Sequence, residues 1–225
     1  AQYFSEGHFL NQALALGLHG PLSSRQLTRI EKQLSLGGHP VVLELAPTAD
    51  PALAGLLAER GYRIQAFQQV LARSLTTRDD FGLPDWDSRI AIRCLEADEM
   101  DLWCQVVQAG FQDSNELAAA EETASGFSAQ AEGNRFFLAT VAGQPAGAAV
   151  LGCFARVAVF SGTSVLPQFR GLGVQRALLK ARLDVAREDR CRWACSAVLP
   201  GTASQANLER CGFRVAYPKL EMARG

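Results

Sequence analysis

The sequence predicts a mixed α/β fold in which helices flank a central, mostly antiparallel sheet. Segments with helical spacing of apolar residues alternate with short β-branched runs along the chain, the pattern of a sheet covered by helices. From residue 89 the expected order is β-α-α-β-β-β-α-β-α-β, in which an antiparallel meander leads into a β-α-β unit. The turn inside that unit contains an arginine and two glycines.

Two domains and a linker are expected: 1–76, a polar linker over 77–88, and 89–225. The elements expected in the first domain are a helix or helix plus turn over 4–18, a helix over 23–36, a strand over 41–45, a helix over 50–60 and one or two strands over 62–75. Ser23 or Ser24, and Asp50, stand where a side chain can cap the first turn of a helix. Gly61 stands where a glycine with positive φ can end the helix over 50–60.

The second domain continues the alternation of strands and helices. In order we expect a strand over 89–95, a helix over 98–109 capped by Asp98, an acidic helix over 117–131, strands over 135–141, 146–153 and 156–166, a helix that ends near 189, a strand over 193–199, a short helix capped by Thr202 and a strand over 213–222. Ala142-Gly143-Gln144-Pro145 predicts a hairpin turn between the first two strands of the meander that follows the helices.

Composition excludes several classes of function. The 225 residues are 48% hydrophobic and 20% charged, and the net charge of −1 leaves no basic excess for binding nucleic acid. No apolar run approaches the roughly 18–20 residues that span a bilayer, and no signal peptide is recognisable. We expect a cytoplasmic protein without nucleic-acid or membrane partners, for which a homodimer is possible. The start at Ala1 suggests that further residues precede it.

The cysteines and histidines show no metal-binding pattern. The three histidines, the last of them His39, lie far upstream of the six cysteines, which begin at Cys94. No Cys-x-x-Cys or Cys/His spacing typical of zinc occurs. Cys153, Cys195 and Cys211 fall in apolar strand or helix positions, so we expect reduced, buried thiols and no metal.

The central motif joins a β-rich run to a helical run through Val165-Leu166-Pro167-Gln168-Phe169-Arg170-Gly171-Leu172-Gly173-Val174-Gln175-Arg176. Its two glycines carry no Cβ, so a ligand can approach the backbone closely. A helix that begins here presents free N–H groups and the positive end of its dipole. Arg170 adds a permanent positive charge. The motif therefore predicts a phosphate or pyrophosphate site.

The spacing in this loop excludes two common phosphate motifs and resembles a third. No Gly-Lys-Ser/Thr follows, as a P-loop requires, and Arg176 stands where the dinucleotide fingerprint has its third Gly. The loop resembles the acetyl-CoA loop of the GNAT acetyltransferase superfamily, Arg/Gln-x-x-Gly-x-Gly/Ala, in which Arg170 and Gly173 fit. Gln175 stands where that family has Gly or Ala, which puts a longer side chain near the pyrophosphate.

A second motif supports the resemblance. Asn207-Leu208-Glu209-Arg210-Cys211-Gly212-Phe213 is similar to the family's helix that ends in Gly-Phe, and the order of elements over 89–224 is the family's order. The resemblance implies acetyl-CoA as co-substrate, with its pantetheine arm between a splayed pair of strands and a backbone N–H near Val165 on the thioester carbonyl. The residues implied for acetyl-CoA binding are Val165, Arg170, Gly171, Leu172, Gly173, Val174, Gln175, Arg176, Ser204 and Asn207.

The acid and the base of acyl transfer are harder to place. Many family members carry Tyr four residues before the Gly of Gly-Phe, but here that residue is Leu208. Tyr217 on the last strand is the candidate acid, Cys195 on the splayed strand is an alternative, and water can also protonate a thiolate. The candidate bases are Glu116, Glu121 and Glu122, which equally fit a solvated, acidic helix start.

A weak internal repeat is also present. Gly212–Arg224 aligns with Gly61–Arg73 at an offset of 151 residues, with two arginines, a glycine and an alanine identical. The N-terminal part thus resembles the second half of a GNAT domain, and the chain a tandem of two. Gly17-Leu18-His19-Gly20 stands where the loop should be but lacks the Arg, so this copy is interpreted as degenerate. Chance similarity of two β-α-β ends is the alternative.

Together these patterns predict a GNAT-type acyltransferase that moves an acetyl group from acetyl-CoA to a small-molecule amine, by direct transfer in a ternary complex. Two alternatives stay open. One is a catalytically silent acetyl-CoA-binding or regulatory module, and the other is a tandem GNAT enzyme of the mycothiol synthase type.

Overall fold

A computed structural model describes residues 12–35, 41–75, 87–111 and 134–224. The chain divides into two compact units, the first formed by Ala1–Val70 with Val215–Gly225 and the second by Leu71–Arg214. Contacts therefore group the last strand with the N-terminal residues, whereas the sequence-based division placed it in the second domain. Most of the expected linker, 77–86, and the expected helix over 117–131 lie outside the described residues.

From α1 onward, the described strands and helices follow the order that the sequence predicts. The elements are β1 (Gln12–Ala13), α1 (Ser24–Leu34), β2 (Val41–Leu45), α2 (Ala52–Glu59), β3 (Arg63–Ser74), β4 (Ile90–Cys94), α3 (Met100–Phe111), β5 (Asn134–Val141), β6 (Gln144–Phe154), β7 (Val157–Val165), α4 (Val174–Glu188), β8 (Trp193–Val198), α5 (Ala203–Arg210) and β9 (Arg214–Arg224). Single 3₁₀ turns precede α3, at Ala97–Glu99, and α4, at Pro167–Phe169.

The first unit is a sheet with a leucine-rich core. Its strands lie in the order β1-β2-β9-β3, with β1 parallel and β9 antiparallel to β2. Leu27 of α1 and Leu57 of α2 are fully buried and belong to one core cluster with Leu43 of β2. Burial of three such side chains contributes several kcal/mol, at about 1.5–3 kcal/mol each.

The short strand β1 corrects one expectation. A helix, or a helix plus turn, was expected over 4–18, but Gln12 and Ala13 pair in parallel with Val42 and Leu43. Ala13 is fully buried in the core of the first unit. The tertiary environment of β2 thus overrides a helical pattern that was weak in the first place.

The second unit is a mixed sheet with helices on both faces. Its strands lie in the order β8-β7-β6-β5-β4, of which β7 through β4 are antiparallel neighbours and β8 is parallel to β7. Alternate residues of β5 and β6 point to opposite faces. Leu138 and Val150 pack with Trp103 of α3, and Phe137 and Leu151 belong to the core that α4 covers.

Helix caps follow the sequence at α1 and α5, with two exceptions elsewhere. Pro51 is the N-cap of α2, and the expected cap Asp50 instead accepts a hydrogen bond from the N–H of Ala52 at 2.9 Å. Ser23 caps α1 and forms a capping box with Gln26, and Thr202 caps α5 by accepting from the N–H of Gln205. The expected cap Asp98 instead lies inside the 3₁₀ turn. Glu96 takes the N-cap position there, in a capping box with Glu99, because a Glu three residues on can bond back to the cap N–H.

Helices α2 and α5 end in the same way. Gly61 and Gly212 each have φ of 80°, and each is followed by a buried aromatic residue, Tyr62 or Phe213. The N–H of that aromatic residue bonds to the carbonyl oxygen five residues earlier, at 3.0 Å in α2 and 3.1 Å in α5. This is the glycine-dependent helix end that the sequence predicts at both places.

Candidate functional site

The candidate site begins where β7 leaves β8. The parallel ladder between them joins Val157–Val159 to Trp193–Cys195, and β7 then continues to Val165. Just past the ladder, Ser196 Oγ donates a hydrogen bond to the carbonyl oxygen of Phe160 at 2.9 Å. Within the described chain the facing edges of the two strands have no ladder pairs beyond this point. Such edges can bind an extended, amide-containing ligand as an added strand.

A β-bulge in β7 lies at the same level. Val150 of β6 pairs with Ser161 and Ala148 with Ser164, so β7 has one residue more than β6 between these pairs. Gly162 lies in the bulge with φ of 54°, and a Cβ there would lie 3.3 Å from a methyl group of Val150. A bulge bends its strand and increases the local twist, which explains why β7 turns away from β8 here.

The loop between β7 and α4 has the features of an anion site. Gly171 and Gly173 have φ of 82° and 93°, in the region that strains residues with a side chain. Gly173 is the N-cap of α4, and no side chain caps this helix. The N–H groups of its first turn, on Val174, Gln175 and Arg176, have no intrahelical acceptor. They point with the positive end of the helix dipole toward one place, which suits an anion.

Arg170 fixes the loop against α3. Its Nε donates to the carbonyl oxygen of Val165 at 3.3 Å, and its Nη2 donates to that of Gly110 at 2.9 Å. Gly110 belongs to the last turn of α3, where the helix dipole favours a cation. A Cβ on Gly110 would lie 2.7 Å from Cβ of Ser164, so α3 and β7 approach closely. Arg170 therefore shapes the loop as well as adding charge.

Three residues implied for acetyl-CoA binding form one hydrogen-bonded cluster. The side-chain amide of Asn207 on α5 donates to Oε1 of Gln175, in the first turn of α4. Gln175 Nε2 lies 3.5 Å from Oγ of Ser204, and Arg210 Nη1 donates to Oδ1 of Asn207 at 2.9 Å. The structure thus brings Gln175, Ser204 and Asn207 together. The longer side chain of Gln175 connects α4 to α5.

The remaining loop residues shape a positively charged site. Val174 is buried and Leu172 packs against the core, so both contribute side chains to the interior. Arg176 is half-buried. Burial raises the pKa of the Cys211 thiol, while the nearby Arg73, Arg176, Arg182 and Arg210 act in the opposite direction. Arg176 lies in the first turn of α4, and its guanidinium, together with that of Arg170, favours an anionic ligand.

The acid and base candidates lie in different parts of the chain. Tyr217 is 39% exposed on β9 of the first unit, whereas the loop belongs to the second, so its role stays a prediction. Leu208 is 2% exposed in the core. Cys195 forms the last ladder pair with Val159, and burial raises its pKa, which keeps it a protonated thiol at neutral pH. Glu116, Glu121 and Glu122 lie outside the described residues.

Two residues of the site were missed from the sequence. Gly162 interrupts an apolar strand, and an isolated glycine in a strand is a signal for a bulge. Ser196, which bridges β8 to Phe160, gives no such signal, because a serine in a strand is common.

A groove of about 420 Å³ lies beside the loop in the second unit. It is lined by α3, the start of β6, and the start of the loop; these residues are Leu102, Gln105, Val106, Ala109, Gln144, Pro145, Leu166, Gln168 and Phe169. Apolar side chains with a few amides are typical of a surface that binds part of a small molecule.

Two structural features are absent from the described residues. No three His, Cys, Asp or Glu side chains among them lie close enough to hold a metal ion. None of their helices is both long and apolar enough to cross a membrane.

A known protein family matches most of the second unit. Residues 98–213 match the model of the acetyltransferase (GNAT) family, and this match covers more than half of the chain, including the loop and the Gly-Phe helix. No curated protein sequence matches. A GCN5-related N-acetyltransferase from Kribbella flavida is 19% identical, with a TM-score of 0.67 over 88% of this chain and 74% of that one.

Two further solved structures are similar. A GCN5-related N-acetyltransferase from Sphaerobacter thermophilus is 18% identical, with a TM-score of 0.65 over 89% of this chain and 67% of that one. A tandem GNAT protein from the clavulanic acid biosynthesis pathway is 16% identical, with a TM-score of 0.62 over 88% of this chain and 68% of that one. At such identities the structural similarity shows the fold alone, whereas the match to the family model shows membership. The chain belongs to the GNAT acetyltransferase family.

Proposed function

We propose that the chain transfers an acetyl group from acetyl-CoA to the amine of a small molecule. The observation that carries the proposal is the combination, in one unit, of the diverging strands β7 and β8 with the uncapped start of α4 at Gly173. The strand edges suit an extended arm that contains amides, and the helix start suits a pyrophosphate. Acetyl-CoA contains both groups.

Each implied residue has a part in this proposal. The N–H groups of Val174, Gln175 and Arg176 bind the pyrophosphate, while Gly171, Leu172 and Gly173 give the turn its shape. Arg170 holds the loop to α3 through the carbonyl oxygens of Val165 and Gly110.

Ser204 and Asn207, already joined to the loop through Gln175, hydrogen-bond the pantetheine arm. A backbone N–H near Val165 polarises the thioester carbonyl.

The proposed reaction is a direct transfer in a ternary complex. The amine nitrogen attacks the thioester carbonyl carbon, a C–N bond forms, the C–S bond breaks, and CoA leaves as a thiolate. An amine with an ordinary pKa of about 10.4 must lose its proton before it attacks, and the nitrogen loses a second proton as the amide forms. The thiolate takes up one proton, for which Tyr217, Cys195 and water are the candidate donors.

We further propose that the first unit is a degenerate copy of half of this fold. Helices α2 (Ala52–Glu59) and α5 (Ala203–Arg210) have equal length and lie 151 positions apart, and so do the first residues of β3 and β9. Local structure thus repeats at the offset found in the sequence, which supports duplication. Since the acetyl-CoA loop occurs once, we expect one acetyl-CoA per chain.

A catalytically silent acetyl-CoA-binding module is the second candidate. The observation that favours it is Leu208, an apolar residue in the core at the position where many family members have a tyrosine. Such a module binds acetyl-CoA through the same loop but transfers nothing. A tandem enzyme of the mycothiol synthase type would share the donor site and differ in its acceptor amine.

A thiol-release assay against a panel of small amines separates these candidates. The enzyme proposal predicts release of CoA thiol that depends on the amine, together with saturable acetyl-CoA binding by calorimetry. Tight binding without release for every amine would favour the silent module. A chain that does not bind acetyl-CoA at all would contradict both.

A further inference from the structure

Arg182 is a fully buried arginine on α4 for which the proposed reaction has no use. Its side chain is 0% exposed, and none of the salt bridges among the described residues includes it. Burial lowers the pKa of its guanidinium to about 9. Burying a charge without an acidic partner is costly unless hydrogen bonds offset the cost. The arginine therefore needs an explanation beyond packing.

Its hydrogen bonds connect α4 to the bulge. Arg182 Nη1 donates to the carbonyl oxygens of Val150 at 3.1 Å and Ser161 at 3.4 Å, and Nε donates to that of Leu178 at 3.1 Å. Val150 and Ser161 face each other across β6 and β7 at the edge of the bulge. A bulge disrupts its ladder, and buried carbonyl groups there need another donor. Arg182 supplies that donor to both strands at once.

A second contact reaches the point at which β7 leaves β8. The guanidinium carbon of Arg182 lies 4.6 Å from the ring centroid of Phe160, within cation–π range. Phe160 is the first residue of β7 past the ladder, and its carbonyl oxygen accepts the hydrogen bond from Ser196 of β8. Arg182 therefore contacts both the bulge and the residue where the two strands separate.

We infer that Arg182 is a positioning residue for the donor site. Its guanidinium binds the carbonyl oxygens of Val150 and Ser161 and covers the ring of Phe160. These contacts hold β7 in the bulged conformation that keeps it apart from β8. The inference rests on the proposed function, because the gap between these strands is where the arm of acetyl-CoA is proposed to bind. Without the guanidinium, the bulge loses a charged donor, and the gap loses its fixed shape.

The test compares three variants of the full chain. Arg182→Met removes the guanidinium at similar volume, and Arg182→Lys keeps a positive charge but loses the planar fork that serves two carbonyls. Lys180→Met is the matched control, because Lys180 lies on the same helix and pairs with Asp184 at the surface. Each variant is measured by thermal unfolding, by CoA calorimetry and by amide hydrogen exchange along β7.

We expect Arg182→Met to fold with a lowered melting temperature, because the buried carbonyl oxygens of Val150 and Ser161 lose their donor. We expect it to bind CoA about tenfold more weakly, an effect of the size that a residue without ligand contact can have on a site. Its amides over 160–165 exchange faster than in the wild type. Arg182→Lys should have a CoA affinity and an exchange rate between those of the wild type and Arg182→Met. Lys180→Met should match the wild type in both. If Arg182→Met does not fold, Arg182→Lys gives the same comparison.

The outcomes separate this inference from the proposed function. A wild type that does not bind CoA contradicts the proposed function, and the exchange of β7 still decides whether Arg182 holds the bulge. Unchanged exchange over 160–165 in Arg182→Met overturns the inference. Faster exchange with unchanged CoA affinity overturns the claim that Arg182 acts on the donor site. A loss of CoA binding in Lys180→Met as well would show a general effect of helix charge and overturn it too.

Discussion

The side-chain amide of Asn207 on α5 donates a hydrogen bond to Oε1 of Gln175 in the first turn of α4. These residues come from the two sequence motifs that indicate the family, and the contact joins those motifs in space. Gln175 departs from the family pattern of Gly or Ala, and its partner Asn207 is implied for binding the same ligand. The departure is therefore a structural connection between α4 and α5.

This contact predicts coupling between two substitutions. We expect Gln175→Ala and Asn207→Ala to be non-additive in the free energy of unfolding, with a coupling of about 1 kcal/mol, as for one net hydrogen bond. Denaturant unfolding of both single variants and the double variant measures it. As a control, Gln175→Ala combined with Gln205→Ala should be additive, because Gln205 bonds to Gly201 and Glu209 instead. Additive effects of Gln175→Ala and Asn207→Ala would contradict the structural connection between α4 and α5.

Gly173 provides a test of the loop with a matched control. Gly173→Ala places a side chain at φ of 93°, and Gly143→Ala does the same at φ of 82° in the turn between β5 and β6. Both should lower the free energy of unfolding by about 1–2 kcal/mol, because L-residues are strained there. Only Gly173→Ala should also weaken CoA binding, measured by calorimetry. Equal CoA affinities for the two variants would show that the loop does not bind the ligand.

Arg170 should stabilise the folded chain even when no ligand is bound. Arg170→Met removes donors to the carbonyl oxygens of Gly110 and Val165, so we expect a loss of about 1–3 kcal/mol in the free energy of unfolding. Arg93→Met, which removes an exposed partner of Glu99, should cost less. CoA affinity should fall in Arg170→Met alone. A stable Arg170→Met chain with weak CoA binding would mean that Arg170 contributes charge and not shape.

Tyr62 predicts a pH dependence of the first unit. Burial, followed by the neighbouring Glu31, raises the pKa of Tyr62 from 10.0 to about 12. Because folding favours the neutral phenol, this contribution to stability is complete below pH 10 and is lost as the pH rises toward 12. The wild type should therefore lose more stability than Tyr62→Phe over this interval in alkaline denaturant titrations. Parallel curves for the two proteins would contradict the raised pKa.

Local elements could be predicted because a few neighbouring residues determine them. The strand over 41–45 and the Thr202 cap of α5 were predicted and observed at the same residues. The pairing of strands, in contrast, depends on residues far apart in the sequence. Leu43 pairs with Met222, and contact between residues so far apart in the chain leaves no local signal, so this pairing was not predicted.

The same distinction holds at the candidate site. The anion-binding turn was predicted because its glycines, its arginine and the helix start are contiguous in sequence. The contact of Arg170 with α3 was not predictable, since its acceptor Gly110 is 60 residues away. Arg182 could not be singled out in the sequence, because only the position of the bulge in the neighbouring sheet explains a buried cation there.

A crystal structure of the chain soaked with acetyl-CoA tests the central claim most directly. The account predicts one acetyl-CoA per chain, with its pyrophosphate on the N–H groups of Val174, Gln175 and Arg176 and its pantetheine arm between β7 and β8 past the Val159–Cys195 pair. Acetyl-CoA bound elsewhere, or a pyrophosphate that does not contact the first turn of α4, would contradict it.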